Sequence, residues 1–561
     1  MKSNVKIFVA ILAGLVLLNV CSHFFSARID LTSEGRYTLS GVTRSYADSL
    51  CSPLEATLYL NGELNSGFRR LRRQTIETLQ EVGYDTRYGL RISNVDPAEL
   101  TKEVGQKLQQ ELNRAGLSGV PVFETKEDGQ KTRSIVYPFV RLSVGGKYTW
   151  INLLDNTPGL SGEENLNRSM ESLEYKIADA MCRLSRTEVP KIAFLEGHGE
   201  LDEYDVMSAT ESLSEHFNVD RGEIGSDPNI LDPYRVVIIA KPSQPLPEKD
   251  KYALDQYLMH GGRLLWLVDA VGMTTDTLRN SPNTIGLLTD HNIADQLFVY
   301  GIRLRPNIVE DLNCGMIAVS VPSKDGHTQL VPMPWTYSPL LSTNMNNEIT
   351  RNVGPVRTDF CGTIDTVGEG LQIVRTPLLR TSAKSKLTSA PIMASLATIH
   401  QQPNPNEYNK SHQTIAIAEE GIFRSAFVHR SAPQGVRTVK KTKEESVSTK
   451  MIVVADGDVI RNTVRFRTSS NPTVVPLGYD EMSRQTYGNS NFIVNAVQWL
   501  ADDSGLMALR NRTFALRLLD RQKISEGTTL YKALALLIPL IVIAVFGVGV
   551  YCVRRSRFAH K

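Results

Sequence analysis

The chain has 561 residues, 22% of them charged and 41% hydrophobic, with a formal net charge of +2. This length suits two to four domains with real cores, and the near-neutral balance excludes the basic footprint of a nucleic-acid binder. The cysteines (Cys21, Cys51, Cys182, Cys314, Cys361 and Cys552) are scattered without metal-ligand spacing. Cys314 and Cys361 are candidates for a pair in an oxidising compartment, and buried free thiols are the blander reading.

The first predicted element is an apolar segment from Ile7 to Phe25, preceded by Lys2 and Lys6 and interrupted by Asn19 and His23. It reads as an uncleaved membrane anchor. A cleavable signal shares the pattern, but Val20/Ser22 fits the small-residue cleavage rule loosely and Phe25/Ala27 poorly. Leu18-Asn19-Val20-Cys21 has a lipoprotein outline, with Val20 too large for its place.

A strand follows over Leu54 to Leu60, where apolar and polar residues alternate. Ser66 to Val82 has helical spacing, with Phe68, Leu71, Ile76 and Leu79 inward. Leu90 to Val95 is a short strand, and Pro97 opens a helix running to about Arg114. Ile135 to Val144 and Lys147 to Leu154 form a hairpin around Gly145-Gly146. The order β-α-β-α-β-β is that of a thioredoxin-like core, and without Cys-x-x-Cys no redox role follows. Arg69, Arg70, Arg72 and Arg73 on the first of these helices form a solvated face or a contact for an anionic partner or membrane lipid. Glu163 to Arg186 is one linking helix, with Leu166, Met170, Leu173, Ile177 and Met181 on a stripe.

After Pro190 strands and helices alternate. The strands are Lys191 to Leu195, Asn218 to Ile224, Arg235 to Ala240 and Arg263 to Val268. The helices are Tyr204 to Phe217 and Glu248 to His260, the latter stopped by Gly261-Gly262. The runs RVVIIA and RLLWLV are apolar on both faces, so the expected fold is a doubly wound parallel sheet. Thr414 to Ala418, Lys450 to Ala455 and the helix Phe492 to Leu500 return to it. Pro306 to Pro391 should hold strands whose places the pattern does not give. Gln401 to Gln413 and Val439 to Lys450 read as insert-like polar loops.

Ligands of such sheets bind at the carboxyl ends of the strands. Polar groups there are Glu196, His198 and Glu200 (within Glu196-Gly197-His198-Gly199-Glu200), Asp269, and Asp456 with Asp458. They form a candidate cleft for a ligand or partner, or they cap helices and shape turns, as Asp and Gly do. No nucleophile elbow, P-loop or His-Glu-x-x-His occurs, so no catalytic residue, metal ligand or cofactor is assigned and the chain is not read as an enzyme. The alternatives are an envelope enzyme with His198, Glu200 and Asp269 in its site, or a ligand-free envelope scaffold.

Ala533 to Val553 carries no charge over about 21 residues, enough to cross a bilayer. Its apolar side chains favour insertion by about 4 to 8 kcal/mol in total. Arg554, Arg555, Arg557 and Lys561 follow it. By the positive-inside rule both ends are cytoplasmic and the body is extracytoplasmic.

Taken in order, several segments resemble the GldG family, gliding-motility-associated ABC transporter auxiliary or substrate-binding proteins of Bacteroidetes. They are Arg28 to Thr32 with Arg36 to Ser40, Tyr59 to Gly62 with Phe68 to Leu71, Phe194 to Glu200 and Leu265 to Ala270. Pro377 to Ser382, Ile415 to Phe427, Val453 to Asp458, Asn495 to Leu500 and the closing span complete the set. The resemblance implies a flavodoxin- or amidotransferase-like second domain without the amidotransferase nucleophile. It further implies an ABC permease, a cytoplasmic ATPase and an envelope partner, with no nucleic acid. The implied setting is the inner membrane, crossed twice, with a periplasmic body. The expected layout is a tip and first span (1–27), an α/β domain (28–160), a linker helix (161–189) and the doubly wound domain (190–505). A juxtamembrane segment (506–530), the second span (531–553) and a basic tail (554–561) close it.

Overall fold

The computed structural model describes residues 12–14, 38–125, 131–157, 160–322, 328–368, 372–436, 440–468, 472–512 and 527–558. The chain divides into two compact units, Met1–Arg512 and Thr513–Lys561. The expected first span, Ile7 to Phe25, lies outside the described residues apart from the helical 12–14.

From residue 38 on, the first element of this unit is helix α1 (Gly41–Ser49), whose first turn is capped by the Ser40 hydroxyl. Strand β1 (Leu54–Leu58), helix α2 (Ser66–Asp85) and strand β2 (Leu90–Asn94) follow. The next helix, α3 (Lys102–Arg114), starts later than the Pro97 signal suggests. The Asp96 carboxylate accepts from Ala98 N (2.9 Å) and its carbonyl from Glu99 N (3.1 Å), which turns the chain first. The strand expected over Ile135 to Val144 is two. Strand β3 (Val120–Thr125) pairs with β4 (Lys131–Val136), while β5 (Phe139–Val144) pairs with β6 (Lys147–Asn152). Pro138 breaks the run because it has no N–H to give a ladder. Gly145 and Gly146 take φ of 58° and 85°, the left-handed pair that a two-residue hairpin turn needs. The sheet order is β2-β1-β5-β6, with β2 parallel and β5 antiparallel to β1.

The single helix expected from Glu163 to Arg186 is α4 (Gly162–Glu171) and α5 (Leu173–Ser185). At the break the Ser172 hydroxyl donates to Asp155 (2.6 Å) and to Ser169 O (3.1 Å), competing with the helix for a backbone carbonyl. Glu174, at the start of α5, accepts from Ser40 N (2.7 Å) and the Thr43 hydroxyl (2.8 Å), tying α1 to α5.

The second sheet begins with β7 (Lys191–Leu195), α6 (Met207–Ser214), β8 (Asn218–Gly222), β9 (Tyr234–Ala240), α7 (Glu248–Met259) and β10 (Arg263–Leu267). Short elements follow: β11 (Val271–Gly272), β12 (Asn283–Leu288), α8 (Ala294–Tyr300), β13 (Ile302–Leu304) and β14 (Asn307–Asp311). The stretch that the sequence pattern left unplaced holds a long hairpin, β15 (Cys314–Pro322) and β16 (Thr328–Thr343), then β17 (Val356–Arg357), β18 (Ile364–Thr366), β19 (Ile373–Arg380) and β20 (Ser385–Ser389). Strands β21 (Ile392–Ser395), β22 (Thr414–Gly421) and β23 (Thr449–Val454) and helix α9 (Asn489–Ala501) come next; β11, β12 and β21 form a separate small sheet, and β13 pairs with β18 and β14 with β20 apart from the main one.

The sheet is mixed, which corrects the all-parallel expectation. Its order is β15-β16-β19-β22-β23-β10-β9-β7-β8. Strands β8, β7, β9, β10 and β23 run parallel, whereas β22 runs antiparallel to β23 and β19 and β16 continue antiparallel. Gly421 and Thr449 are register partners, so the link between β22 and β23 leaves and re-enters at one end of the sheet. Such a link joins antiparallel neighbours, since a parallel pair needs a crossover.

The core is built on the parallel half. Val237, Ile239, Leu264, Trp266, Met451 and Val453 pack with Leu254 and Leu258 of α7 and with Tyr300. Helix α9 lies against β9, β10 and β23. Every residue from Asp250 to Met259 of α7 is buried, and the described part of the segment expected as a free insert, residues 440–450, covers the polar side at Tyr252 and Gln256. Gln256 exchanges hydrogen bonds with Lys443 (2.8 and 3.0 Å), and Tyr252 OH meets Thr442 (2.7 Å). Asp255 accepts from the Ser425 hydroxyl (2.7 Å), Ala426 N (2.8 Å) and Tyr300 OH (2.9 Å).

Cys314 and Cys361 are free thiols; Cys361 and Cys182 are buried and Cys51 is exposed. In the second unit, helix α10 (Thr528–Phe558) contains the apolar stretch Thr528–Ser556, long enough to cross a membrane. Its Leu, Ile, Val and Phe side chains from Leu530 to Val553 are exposed, and Pro539 sits within it, as membrane helices tolerate.

Candidate functional site

Three neighbouring parallel strands, β9, β10 and β23, end side by side, and each hands a charged residue to the same place. Lys241 follows β9 directly, Asp269 comes two residues after β10, and Asp456-Gly457-Asp458 follows β23. The ladder continues past the strand ends through Lys241 N to Leu267 O (2.8 Å) and Val268 N to Val454 O (2.9 Å), which fixes the spacing of these residues. The Lys241 ammonium sits 3.1 Å from Asp269 Oδ2 and bonds directly to Asp458 Oδ2. Asp269 Oδ1 accepts from Gly457 N (2.5 Å), and Asp456 Oδ1 from Asp458 N (2.7 Å). A Cβ on Gly457 would stand 2.5 Å from Lys241 Cβ, so only glycine admits the lysine. Lys241 itself has φ 55°.

The cluster extends outward through Arg461, which reaches Asp458 (3.7 Å), Asp276 (2.9 Å) and Asp205 (3.3 Å). Burial and the neighbouring Asp269 and Asp458 charges, against Lys241, drive the Asp456 carboxyl well above the usual carboxylate range. Its Oδ2 is buried without a hydrogen-bond partner. Burial likewise raises Asp458, despite Lys241 and Arg461. Lys241 stays protonated, because Asp269 and Asp458 outweigh the cost of its burial.

His198 is held separately. Its Nδ1 lies 3.0 Å from Glu200 Oε1 and its Nε2 3.0 Å from Asp250 Oδ2, at the start of α7. The backbone N of His198 also donates to Glu200 Oε2 (2.7 Å), and its carbonyl accepts from Ser243 N and Gln244 N. Gly199, at φ 71°, leaves no room for a Cβ beside Ser243. Burial pulls the imidazole pKa down, but the two carboxylates more than offset this and hold it up at about 9. The clamp therefore adds stability in full below the ordinary value of 6.5 and loses it as pH rises through about 9. His198→Gln should flatten the melting temperature of the body between those two pH values. An unchanged pH slope in that variant would show the imidazolium clamp to be absent.

Glu196 points elsewhere and pairs with Arg221 of β8 (2.7 Å). The six sequence-selected residues thus share one end of the sheet without forming one cleft. Glu196 joins Arg221, Glu200 joins His198 and Asp250, and Asp269, Asp456 and Asp458 gather around Lys241. Among the described residues no ion pair or hydrogen bond links the first two sets to the aspartates, and no group of His, Cys, Asp and Glu has the placement to hold a metal.

The residues that sequence reasoning missed are Lys241, Asp250 and Arg461. Lys241 had a signal: it is the first charge after RVVIIA. Asp250 and Arg461 are joined to the site only by tertiary contact. An open cleft of ≈ 910 Å³ lies instead beside α5, α6, α9 and β6, lined among others by Trp150, Tyr148, Lys176, Asp179, His216 and Arg510. In it Asp179 pairs with Arg183 (3.1 Å), and Lys176 pairs with Asp155 (2.7 Å). Burial lowers the His216 pKa.

Among solved structures, the mmIFT52 N-terminal domain is 15% identical, covering 55% of this chain and 96% of that one, with a TM-score of 0.31. An exo-beta-1,4-mannosidase, Op5Man5 from Opitutaceae bacterium strain TAV5, is 10% identical over 70% of this chain and 46% of that one, with a TM-score of 0.17. Neither similarity is close enough to bear on fold or function. No curated protein matches the chain. Residues 33–143 match a domain of unknown function. Residues 189–496, more than half of the chain and nearly all of the mixed-sheet region, match the family described as an ABC-type uncharacterized transport system. The chain belongs to that family of ABC transporter auxiliary proteins.

Proposed function

We propose that the chain is a membrane-fixed auxiliary subunit that joins an ABC permease and its cytoplasmic ATPase to an envelope partner, in the manner of the gliding-motility GldG proteins. The observation that carries this reading is the family match over the mixed sheet. The long apolar stretch of helix α10, which ends in Arg554, Arg555 and Arg557, supports membrane attachment with a cytoplasmic tail. On this reading the body is periplasmic, held at both ends, with an N-terminal domain over 28–160, a linker over 161–189 and a main domain over 190–505. The β2-β1-β5-β6 order, with β2 parallel and β5 antiparallel to β1, favours a thioredoxin-like N-terminal domain.

The groups at the strand ends act as structural clamps in this reading, because Glu196, His198, Glu200, Asp269 and Asp458 each already face an oppositely charged protein group and Asp456 accepts from Asp458 N. A substrate-binding role belongs to the body's surfaces rather than to Glu196, His198, Glu200, Asp269, Asp456 and Asp458.

Reporter fusions test the arrangement. A reporter inserted between Gln402 and Pro403, in the exposed polar loop, should be active only outside the cytoplasm, and one after Lys561 only inside it. An extracytoplasmic C-terminal reporter contradicts the topology. The partner claim is tested by capture of the full chain from gently solubilised membranes, where an integral-membrane permease should be recovered.

A further inference from the structure

The hairpin β15–β16 ends one side of the mixed sheet, and the outer edge of β15 differs from that of β16 before β16 reaches its pairing with β17 and β19 at Leu340 to Thr343. Along it Met316 faces Pro334, Ala318 faces Pro332, Ser320 faces Leu330 and Pro322 faces Thr328. The three prolines on the regular side of the bulge, Pro322, Pro332 and Pro334, fall in pairs of one parity. A proline nitrogen has no hydrogen to give a ladder, so these are the non-hydrogen-bonded pairs, whose backbone groups point away from the partner strand. The ladder is then made through Ile317, Val319 and Val321, while Met316, Ala318 and Ser320 turn their N–H and C=O groups to the outer edge of β15. On β16 the corresponding outward positions are Leu330, Pro332 and Pro334, and two of the three donors are missing.

Edge strands without such protection pair with other chains. The β16 edge is blocked by proline. The β15 edge from Gly315 to Val321 (GMIAVSV) has neither proline nor charge. Among the described residues its only outer bond is a long one, from the Arg357 guanidinium to Met316 O (3.4 Å).

The segment is also complementary to itself. If two copies pair antiparallel about a two-fold axis at Ala318, then Met316 faces Ser320 of the partner and Ala318 faces Ala318. On the opposite face Ile317 meets Val319. Each outward residue then meets another outward residue, completing hydrogen-bonded pairs, and the β-branched residues form apolar cross-strand pairs. No like charges meet. We propose that the outer edge of β15 is a dimer interface, and that a second copy of this chain adds its own β15 there to make a continuous sheet across the two-fold axis.

The test uses the full chain in detergent, with protein mass read by light scattering and refractive index so that the micelle is subtracted. Wild type should be a dimer. Ala318→Lys, which sets two like charges directly opposite each other, should halve the protein mass with an unchanged melting profile, and so should Ala318→Glu. Mixing the two should restore a dimer containing one of each. Should the charged variants fail to fold, Ala318→Cys decides. Its Cα atoms would stand about 5.5 Å apart in a hydrogen-bonded pair, within disulfide reach, so in a Cys51→Ser, Cys552→Ser background, which removes the exposed native thiols, mild oxidation should link the Ala318→Cys chain into a dimer and leave the parent background unlinked. A monomeric wild type, a dimer indifferent to both charges, or an unlinked Ala318→Cys variant overturns the proposal. Capture of a different protein by the wild-type edge, lost in Ala318→Lys while the chain stays monomeric, would assign the edge to that protein instead.

Discussion

Ile238→Asp should leave the main body unfolded. Ile238 is fully buried in β9, with Leu265 of β10 on one side and Phe194 of β7 on the other. The strand is covered on both faces, by the α7 core and by α9, so a carboxylate there finds neither water nor a partner. Burying an unpaired charge costs several kcal/mol, comparable with the whole stability of an ordinary domain at about 5 to 15 kcal/mol. Expression of the variant should give aggregate, or a chain without a cooperative melting transition. A soluble variant melting like wild type would show that β9 does not lie at the centre of the sheet.

Lys241→Met should be the most damaging change at the strand ends. The lysine is the cation that faces both Asp269 and Asp458. Methionine keeps most of the stem's bulk but leaves Asp269 without its cation and Asp458 with only Arg461, 3.7 Å away. Removing one member of a buried ion pair costs about 3–5 kcal/mol. The loss should depend on pH, with a sign that follows from the aspartates. Asp456 and Asp458 take up protons more readily folded than unfolded, so the stability they add is present at low pH and fades as pH rises through their raised folded values. Without Lys241 the same groups hold their protons more strongly still. The penalty of Lys241→Met should therefore be smallest in acid and grow toward neutral pH. Melting curves of both proteins across that range check this, and a constant difference would mean that the lysine contributes packing rather than charge.

The sequence carried the parallel half of the sheet because its strands are buried on both faces and read as unbroken apolar runs. RVVIIA and RLLWLV became β9 and β10 within a residue at each end. The antiparallel half was illegible for the opposite reason. Strand β16 contains Pro332, Pro334 and Pro339, which as local signals argue against a strand, and its stability comes from long-range pairing with β15. The link covering α7 read as a free insert because its polar residues serve Tyr252 and Gln256, almost two hundred positions earlier in the chain. At the candidate site the acidic groups were visible as residues following strands. Their partition was not: whether Glu200 faces His198 or Lys241 depends on side-chain direction and on the start of α7, which a linear pattern does not encode.

The proposal that the strand-end charges hold the fold of an auxiliary subunit within an ABC transport system is tested most directly by affinity capture. The tagged full chain and the triple variant His198→Ala, Asp269→Asn, Asp458→Asn would each be solubilised gently, and the co-eluting proteins identified by mass spectrometry. Wild type should bring down a permease and an ATPase in fixed ratio, and the triple variant should do so too wherever its body still folds. Absence of any ATPase from the wild-type eluate, or its loss from a triple variant that melts like wild type, would contradict the proposal.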